Sequence, residues 1–173
     1  MLTKLLRNQK KRIFKIVQKN DYVIVADTRE QLPLFTINTK CIVKKLDFGD
    51  YSLVGHEKDF AIERKSLPDL LQTLTSGHKR FKEELKRASE AKYFAIVVDG
   101  SYTAMETKAY PNAWRSKVKG HQVTAIAHMI HMKYRIPIHW CKDRNDSKRL
   151  IRGLMRTYLR LIEKEKGAKK IGN

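Results

Sequence analysis

Acidic side chains are scarce in this sequence: 18 Asp and Glu stand against 37 Lys and Arg, a formal net charge of +19. Such a balance says little about fold, but it selects polyanions as partners, nucleic acid first and an anionic membrane surface second. Cysteine is nearly absent. Cys41 and Cys141 are too few for a disulfide framework or a Cys-based zinc site, and they read as small core residues of a reducing compartment. No apolar run approaches the length of a membrane span, and the N-terminus lacks the continuous apolar stretch of a secretory signal. No GxGxxG or GxxxxGK[ST] turn occurs, which argues against nucleotide binding by a glycine-rich loop. There are no internal repeats.

What is present suits one domain with a proper core, since 42% of the 173 residues are hydrophobic and 32% charged. Residues 1–20 carry seven Lys/Arg and no acid, with Leu2, Leu6, Ile13 and Val17 near one helical face. They are expected to form a basic amphipathic helix, serving as a DNA-contacting arm or a docked surface helix rather than a transit peptide. The main domain is expected over 21–165 and a basic tail over 166–173. Tyr22–Ala26 reads as a fully buried strand, Cys41–Lys45 as a second, and 50–64 as a hairpin. Leu67, Leu70, Leu71 and Leu74 have the spacing of an amphipathic helix, and a second helix over 79–91 buries Phe81, Leu85 and Ala88. A buried strand over 93–98 is followed by a long polar stretch to Gly120. Then come a helix with Val123, Ile126, Ala127 and Ile130 inward, a strand over 136–140, and a helix over 145–164 with Leu150, Leu154, Tyr158 and Ile162 inward. The order predicts an α/β fold with a central mixed sheet flanked by helices.

The hairpin carries the chemistry. If Gly55-His56-Glu57-Lys58 is a tight turn centred between His56 and Glu57, Asp50 lies opposite Glu63, with β-carbons about 4.5–5.5 Å apart. Alternation then puts Ser52, Ala61 and Lys65 on the face of Asp50 and Glu63, and Tyr51, Leu53, Phe60 and Ile62 on the other. Two carboxylates so placed can hold Mg²⁺ (or Mn²⁺), which neutralises phosphate charge and activates water. Lys65 can orient that water or stabilise the pentavalent phosphorus, and Asp27, at the end of a buried strand, is a third carboxylate within reach of the metal. The plain alternative is a solvated charge run on an edge strand, and spacing alone does not choose between them.

Gly49-Asp50, twelve intervening residues, Glu63-Arg64-Lys65, three more, then Asp69 resembles the GDx(n)ERKx(3)D signature of XPF-type structure-specific endonucleases, which have the restriction-endonuclease-like fold. Asp27-Thr28-Arg29-Glu30 resembles the family's upstream D-x-R-E, Ser76-Gly77 with Arg80-Phe81 its next basic helix, and Tyr110-Pro-Asn-Ala113 and Ile136-Pro137-Ile138 the last helix–strand unit of archaeal members. The resemblance implies that Asp50 and Glu63 are metal ligands and Lys65 the catalytic lysine. It implicates Asp27, Arg29, Glu30, Arg64 and Asp69 in or around the site. Ser66-Leu-Pro-Asp69 also has capping-box spacing, so Asp69 has a second reading as the third residue of a capped helix. Family members usually add a helix-hairpin-helix pair and sometimes a helicase; neither occurs in these 173 residues. They also dimerise, so a homodimer through the nuclease domain is implied.

Lys79, Arg80, Arg115 and Lys117 are the candidate DNA contacts. Trp114 suits either stacking on unpaired bases or anchoring a loop, with the anchor favoured. His121, His128 and His131 read as a polar helix face rather than a metal cluster. The expectation is a metal-dependent endonuclease of branched or structured DNA (flap, fork or junction) in repair, recombination or replication. It would be cytoplasmic and nucleoid-associated if prokaryotic or viral, nuclear if eukaryotic, and without a membrane partner. The rivals are a non-catalytic DNA- or partner-binding module on the same fold, and a small basic RNA-binding protein.

Overall fold

A computed structural model describes residues 22–75 and 77–171, with side chains to residue 167. The expected N-terminal basic helix lies outside the described residues. Six strands form one sheet: β1 (Ile24–Ala26), β2 (Cys41–Val43), β3 (Tyr51–Leu53), β4 (Phe60–Ser66), β5 (Tyr93–Asp99) and β6 (Ile138–Cys141). Their order is β2-β1-β3-β4-β5-β6. β1 runs antiparallel to β3, and β3 to β4, whereas β2 is parallel to β1 and β4, β5 and β6 are mutually parallel. This is the mixed sheet that the chain order predicts.

Helices cover both faces. α1 (Leu67–Thr75), α2 (His78–Ala88) and α4 (Gly120–Tyr134) lie on one side, and the long α5 (Arg144–Ile171) on the other. β5 shows why its sequence is apolar throughout. Ala95 and Val97 pack towards α5 with Ile151, Met155 and Tyr158, while Phe94, Ile96 and Val98 pack towards α1, α2 and α4 with Leu70, Phe81 and Val123. β4 begins the same way, with Phe60 and Ile62 on the α5 side and Ala61 on the other. The next residue on the Ala61 face is Glu63, which is only 4% exposed. Alternation therefore delivers a carboxylate into a layer otherwise filled with Leu, Phe and Val.

Several expectations are corrected. The hairpin register is as expected, with Tyr51 opposite Ile62, but the connection is no tight turn. It spans residues 54–59, with Gly55 at φ +83° and His56 N–H donating to Leu53 O at 2.9 Å while Phe60 N–H donates to His56 O at 2.8 Å. The two turns follow one another, and the connection 54–59 as a whole is centred between His56 and Glu57, so the register survives. α5 continues past the expected end at Lys164, because no residue there breaks it except a single tolerated Gly167. Its buried face is Ile151, Met155, Tyr158 and Ile162, with Leu150 and Leu154 only partly covered. In α4, Ile126 is likewise at the margin. The polar stretch before Gly120 is not plain loop: it holds α3 (Tyr102–Thr107), capped by the Ser101 hydroxyl accepting from Ala104 N–H at 3.0 Å, and a 3-10 turn at Ala113–Arg115. Gly120 is obligatory where α4 begins, because a β-carbon there would stand 2.1 Å from Met105 O of α3.

Candidate active site

The site starts from Gly49. Its φ of +73° favours glycine, and an added β-carbon would lie 3.1 Å from both Ala61 Cβ and Ile62 O. That close approach lets Asp50 N–H donate to Ile62 O at 2.8 Å, bringing Asp50 beside Glu63. Asp50 Oδ2 then accepts from Arg64 N–H at 2.8 Å, and Glu63 Oε1 is paired with Lys65 Nζ. Asp50, Glu63 and Lys65 are thus brought together on one face, as expected from the alternation.

Charge is expensive there. Burial raises the Glu63 pKa, and the neighbouring Asp50 carboxylate raises it further, against the pull of Lys65. Burial also raises Asp50, opposed by the Arg64 N–H and the Lys65 charge. Lys65 keeps its proton. Burial alone would lower its pKa, but the charge of Glu63 and the hydrogen bond to it, then Asp50, raise it overall. A further acid contributes that sequence reasoning missed: Glu84 of α2, whose Oε1 accepts from Gly49 N–H at 3.3 Å and whose charge acts on Asp50, Glu63 and Lys65. The signal was its position, three residues after buried Phe81 and four before buried Ala88, hence near the inner side of a helix otherwise rich in Lys and Arg.

Among the described residues, no group of three or more His, Cys, Asp or Glu side chains is gathered as a ready metal cage. The donor chemistry nevertheless fits a hard cation. Two carboxylates, Glu63 buried and Asp50 half-buried, whose pKa values are raised partly by acidic neighbours, form a site short of positive charge. Mg²⁺ characteristically takes only one or two carboxylates, its other positions going to water and phosphate.

Asp27 is near in backbone terms, its N–H donating to Asp50 O at 2.8 Å, but both its carboxylate oxygens are already engaged. Oδ1 accepts from Arg29 N at 2.8 Å and Arg29 Nε at 2.6 Å, and Oδ2 from Leu46 N at 2.6 Å. Burial opposes that charge, yet the Arg29 and Leu46 hydrogen bonds outweigh it and hold the carboxyl below its ordinary pKa. Arg29 also donates to Leu46 O at 3.1 Å, so Asp27 and Arg29 tie the loop before Gly49 to the end of β1.

Arg64 points to the opposite face, as the pleat requires. Its guanidinium donates to Asp99 Oδ2 from Nε at 2.8 Å and Nη2 at 2.5 Å, and to Glu30 Oε2 from Nη1 at 3.3 Å. Tyr51 hydroxyl also donates to Glu30 Oε2 at 3.0 Å, and accepts from Leu34 N–H at 2.8 Å. Glu30 and Arg64 therefore brace β3, β4 and β5 from behind the acid pair. Asp99, also missed, ends a buried strand just as Asp27 does. Ser66 caps α1 and Asp69 is the third residue of the capped helix: Asp69 N–H donates to Ser66 Oγ at 3.2 Å, and Ser66 Oγ donates to Asp69 Oδ2 at 2.6 Å.

An open groove runs from Lys65 across Asp69, Thr73 and Gly77 to Lys79, Arg80 and Arg87. Lys79 and Arg80 thus share a groove with the catalytic candidate Lys65. Arg115 and Lys117 do not line it; they sit with Trp114 on the connection between α3 and α4. Trp114 is 78% exposed, which overturns its expected role as an anchor. His128 and His131 are exposed on α4, His128 stacked with Tyr102 at 5.8 Å and His131 Nδ1 3.2 Å from Ile136 O.

A mixed sheet with this order of helices, and an acid pair and lysine at its central hairpin, is the XPF-type nuclease fold. XPF from Aeropyrum pernix matches with a TM-score of 0.60 and 23% identity, over 78% of this chain and 60% of that one. The same protein in complex with DNA matches with a TM-score of 0.60 and 22% identity, over 80% and 66%. The chain spans less than two thirds of either. The ERCC4 domain model matches residues 21–154, and the chain belongs to the ERCC4 domain family. No curated protein matches it significantly. Among the described residues, no helix is long and apolar enough to cross a membrane.

Proposed function

We propose that this protein is a divalent-metal-dependent endonuclease that hydrolyses phosphodiester bonds in branched or otherwise structured DNA. The observation that carries the reading is half-buried Asp50 beside buried Glu63, with protonated Lys65 bonded to Glu63 and lining the groove that also holds Lys79, Arg80 and Arg87. Asp50 and Glu63 are the residues that would hold Mg²⁺ or Mn²⁺, with Asp27 beside them. When bound, the ion neutralises charge on the phosphate and lowers the pKa of water. Lys65 supplies a fixed positive charge and N–H donors where negative charge grows on the phosphorane oxygens, with Glu63 holding the ammonium in place. Lys79 and Arg80 attract and align the phosphodiester backbone along the groove. Arg64, Glu30 and Arg29 keep the strands in register and touch no substrate in this scheme.

The DNA complex of the Aeropyrum protein supports DNA as substrate, and the net charge of +19 agrees. Preference for flaps, forks or junctions, pairing of two copies through this domain, and a place in repair or recombination belong to the same proposal. The test is cleavage of labelled duplex, flap, fork and four-way junction with Mg²⁺, Mn²⁺ or chelator. Asp50→Asn and Glu63→Gln, which remove charge but little volume, are expected to lose cleavage while keeping native circular dichroism. Near-normal cleavage by both purified variants would sink the assignment and leave a DNA-binding module.

A further inference from the structure

We propose that Trp114 and Arg115 form a stacking platform for an unpaired base of a DNA strand, away from the groove that holds Lys65. The inference deepens the reading of the protein as an enzyme acting on DNA and rests on it. The chain has two tryptophans, and they are treated differently. Trp140 is partly buried, edge-on to Tyr102 at 5.5 Å, whereas Trp114 leaves most of its indole in water.

The exposure is built in. Ala113 is 4% exposed and plugs the 3-10 turn into the domain, while Arg115 N–H donates to Asn112 O at 3.0 Å and Ser116 N–H to Ala113 O at 3.2 Å. Lys108 Nζ donates to Ser116 O at 2.5 Å, and Val118 N–H to Ser116 Oγ at 3.1 Å. The ring is therefore carried outward on a turn bonded to the loop on both sides of it. The Arg115 guanidinium lies over the ring, 5.2 Å from its centroid, covering one face and leaving the other open.

The surroundings fit an anionic strand. No Asp or Glu occurs between Glu106 and Asp143, while Lys108, Arg115, Lys117 and Lys119 flank the ring in sequence. A protein partner would ask for apolar area, but the neighbours Pro111, Asn112, Arg115 and Lys117 are exposed and mostly polar. A base has a π-face for the open side of the indole, and its phosphates meet the lysines; an exposed aromatic among cations is how single strands are held without sequence preference. A paired base keeps its faces inside the stack, so the platform distinguishes strands by pairing.

The test uses the full chain in chelator, so that no cleavage contributes. In the Trp140→Phe variant, indole fluorescence reports Trp114 alone. A single-stranded oligothymidylate is expected to quench it saturably, and a blunt duplex of equal phosphate count to leave it nearly unchanged. Trp114→Ala is expected to weaken single-strand binding by about fivefold to 150-fold, the range of one stacked base, with duplex affinity unaltered and Trp114→Phe restoring part of the loss. Equal quenching by duplex, absence of single-strand binding, or a Trp114→Ala effect below about twofold overturns the platform. Failure of the nuclease reading shows separately, as normal cleavage by Asp50→Asn and Glu63→Gln.

Discussion

At the scale of single residues, the two faces of β4 predict opposite consequences for neighbours in sequence. Lys65 shares the site with Glu63 but carries a positive charge, so Lys65→Ala is expected to cleave poorly while still binding Mn²⁺. Asp50→Ala is expected to lose both. Calorimetric Mn²⁺ titration beside cleavage rates separates them, and equal loss of metal by the two variants would refute the division of roles. Arg64 is a different case. Its partners Asp99 and Glu30 have side chains only 9% and 8% exposed, so Arg64→Ala strands buried acids, at a cost of about 3 kcal/mol. Denaturant melts are expected to show that loss, and Asp99→Asn in the same background to recover part of it. A melt unchanged by Arg64→Ala would mean the brace is not structural.

At the scale of elements, the cap of α1 and the edge strand β6 each give a measurable effect. Ser66→Ala is expected to cost about 1 kcal/mol, as for other helix caps, and to spare cleavage; a dead but stable variant would move Ser66 and Asp69 into the chemistry. In β6, burial first and the charge of His131 second hold the His139 imidazole below its ordinary pKa of 6.5. The folded chain then binds fewer protons than the unfolded one below that value. Its contribution is complete above about pH 6.5 and is lost as pH falls. Urea midpoints at neutral and mildly acid pH are expected to converge in His139→Phe; an undiminished gap would assign the pH dependence elsewhere. These elements also show what could be read in advance. The alternation of Tyr51, Leu53, Phe60 and Ile62 against Asp50 and Glu63 reports the pleat directly, so register and site were legible together. Helix phase was legible only to within a residue, because Leu150 and Ile151 are equally apolar and packing alone chooses between them. The spacing of Glu84 from Phe81 and Ala88 put it near the inner side of α2, but which site that side meets, and the exposure of Trp114, depend on how α2 and the α3–α4 connection dock, which no local pattern encodes.

At the scale of the molecule, a charge of +19 predicts DNA affinity that falls steeply with salt through counterion release. Residues 1–19 carry seven of the cations, and removing them is expected to flatten the slope of log affinity against log salt; an unchanged slope would exclude that segment from phosphate contact. The strand order has a further consequence for how the chain is made. β3 and β4 are neighbours joined by residues 54–59, but β4 finds its second partner only after the crossover through α1 and α2 to β5. A ribosome releasing the chain from its N-terminus therefore exposes one edge of Phe60–Ser66 until Asp99 has emerged. During that interval the nascent protein carries an unpaired, apolar strand edge open to other chains. Synthesis arrested in the crossover should yield aggregates, so the step most exposed to misfolding lies in translation, between residues 66 and 99.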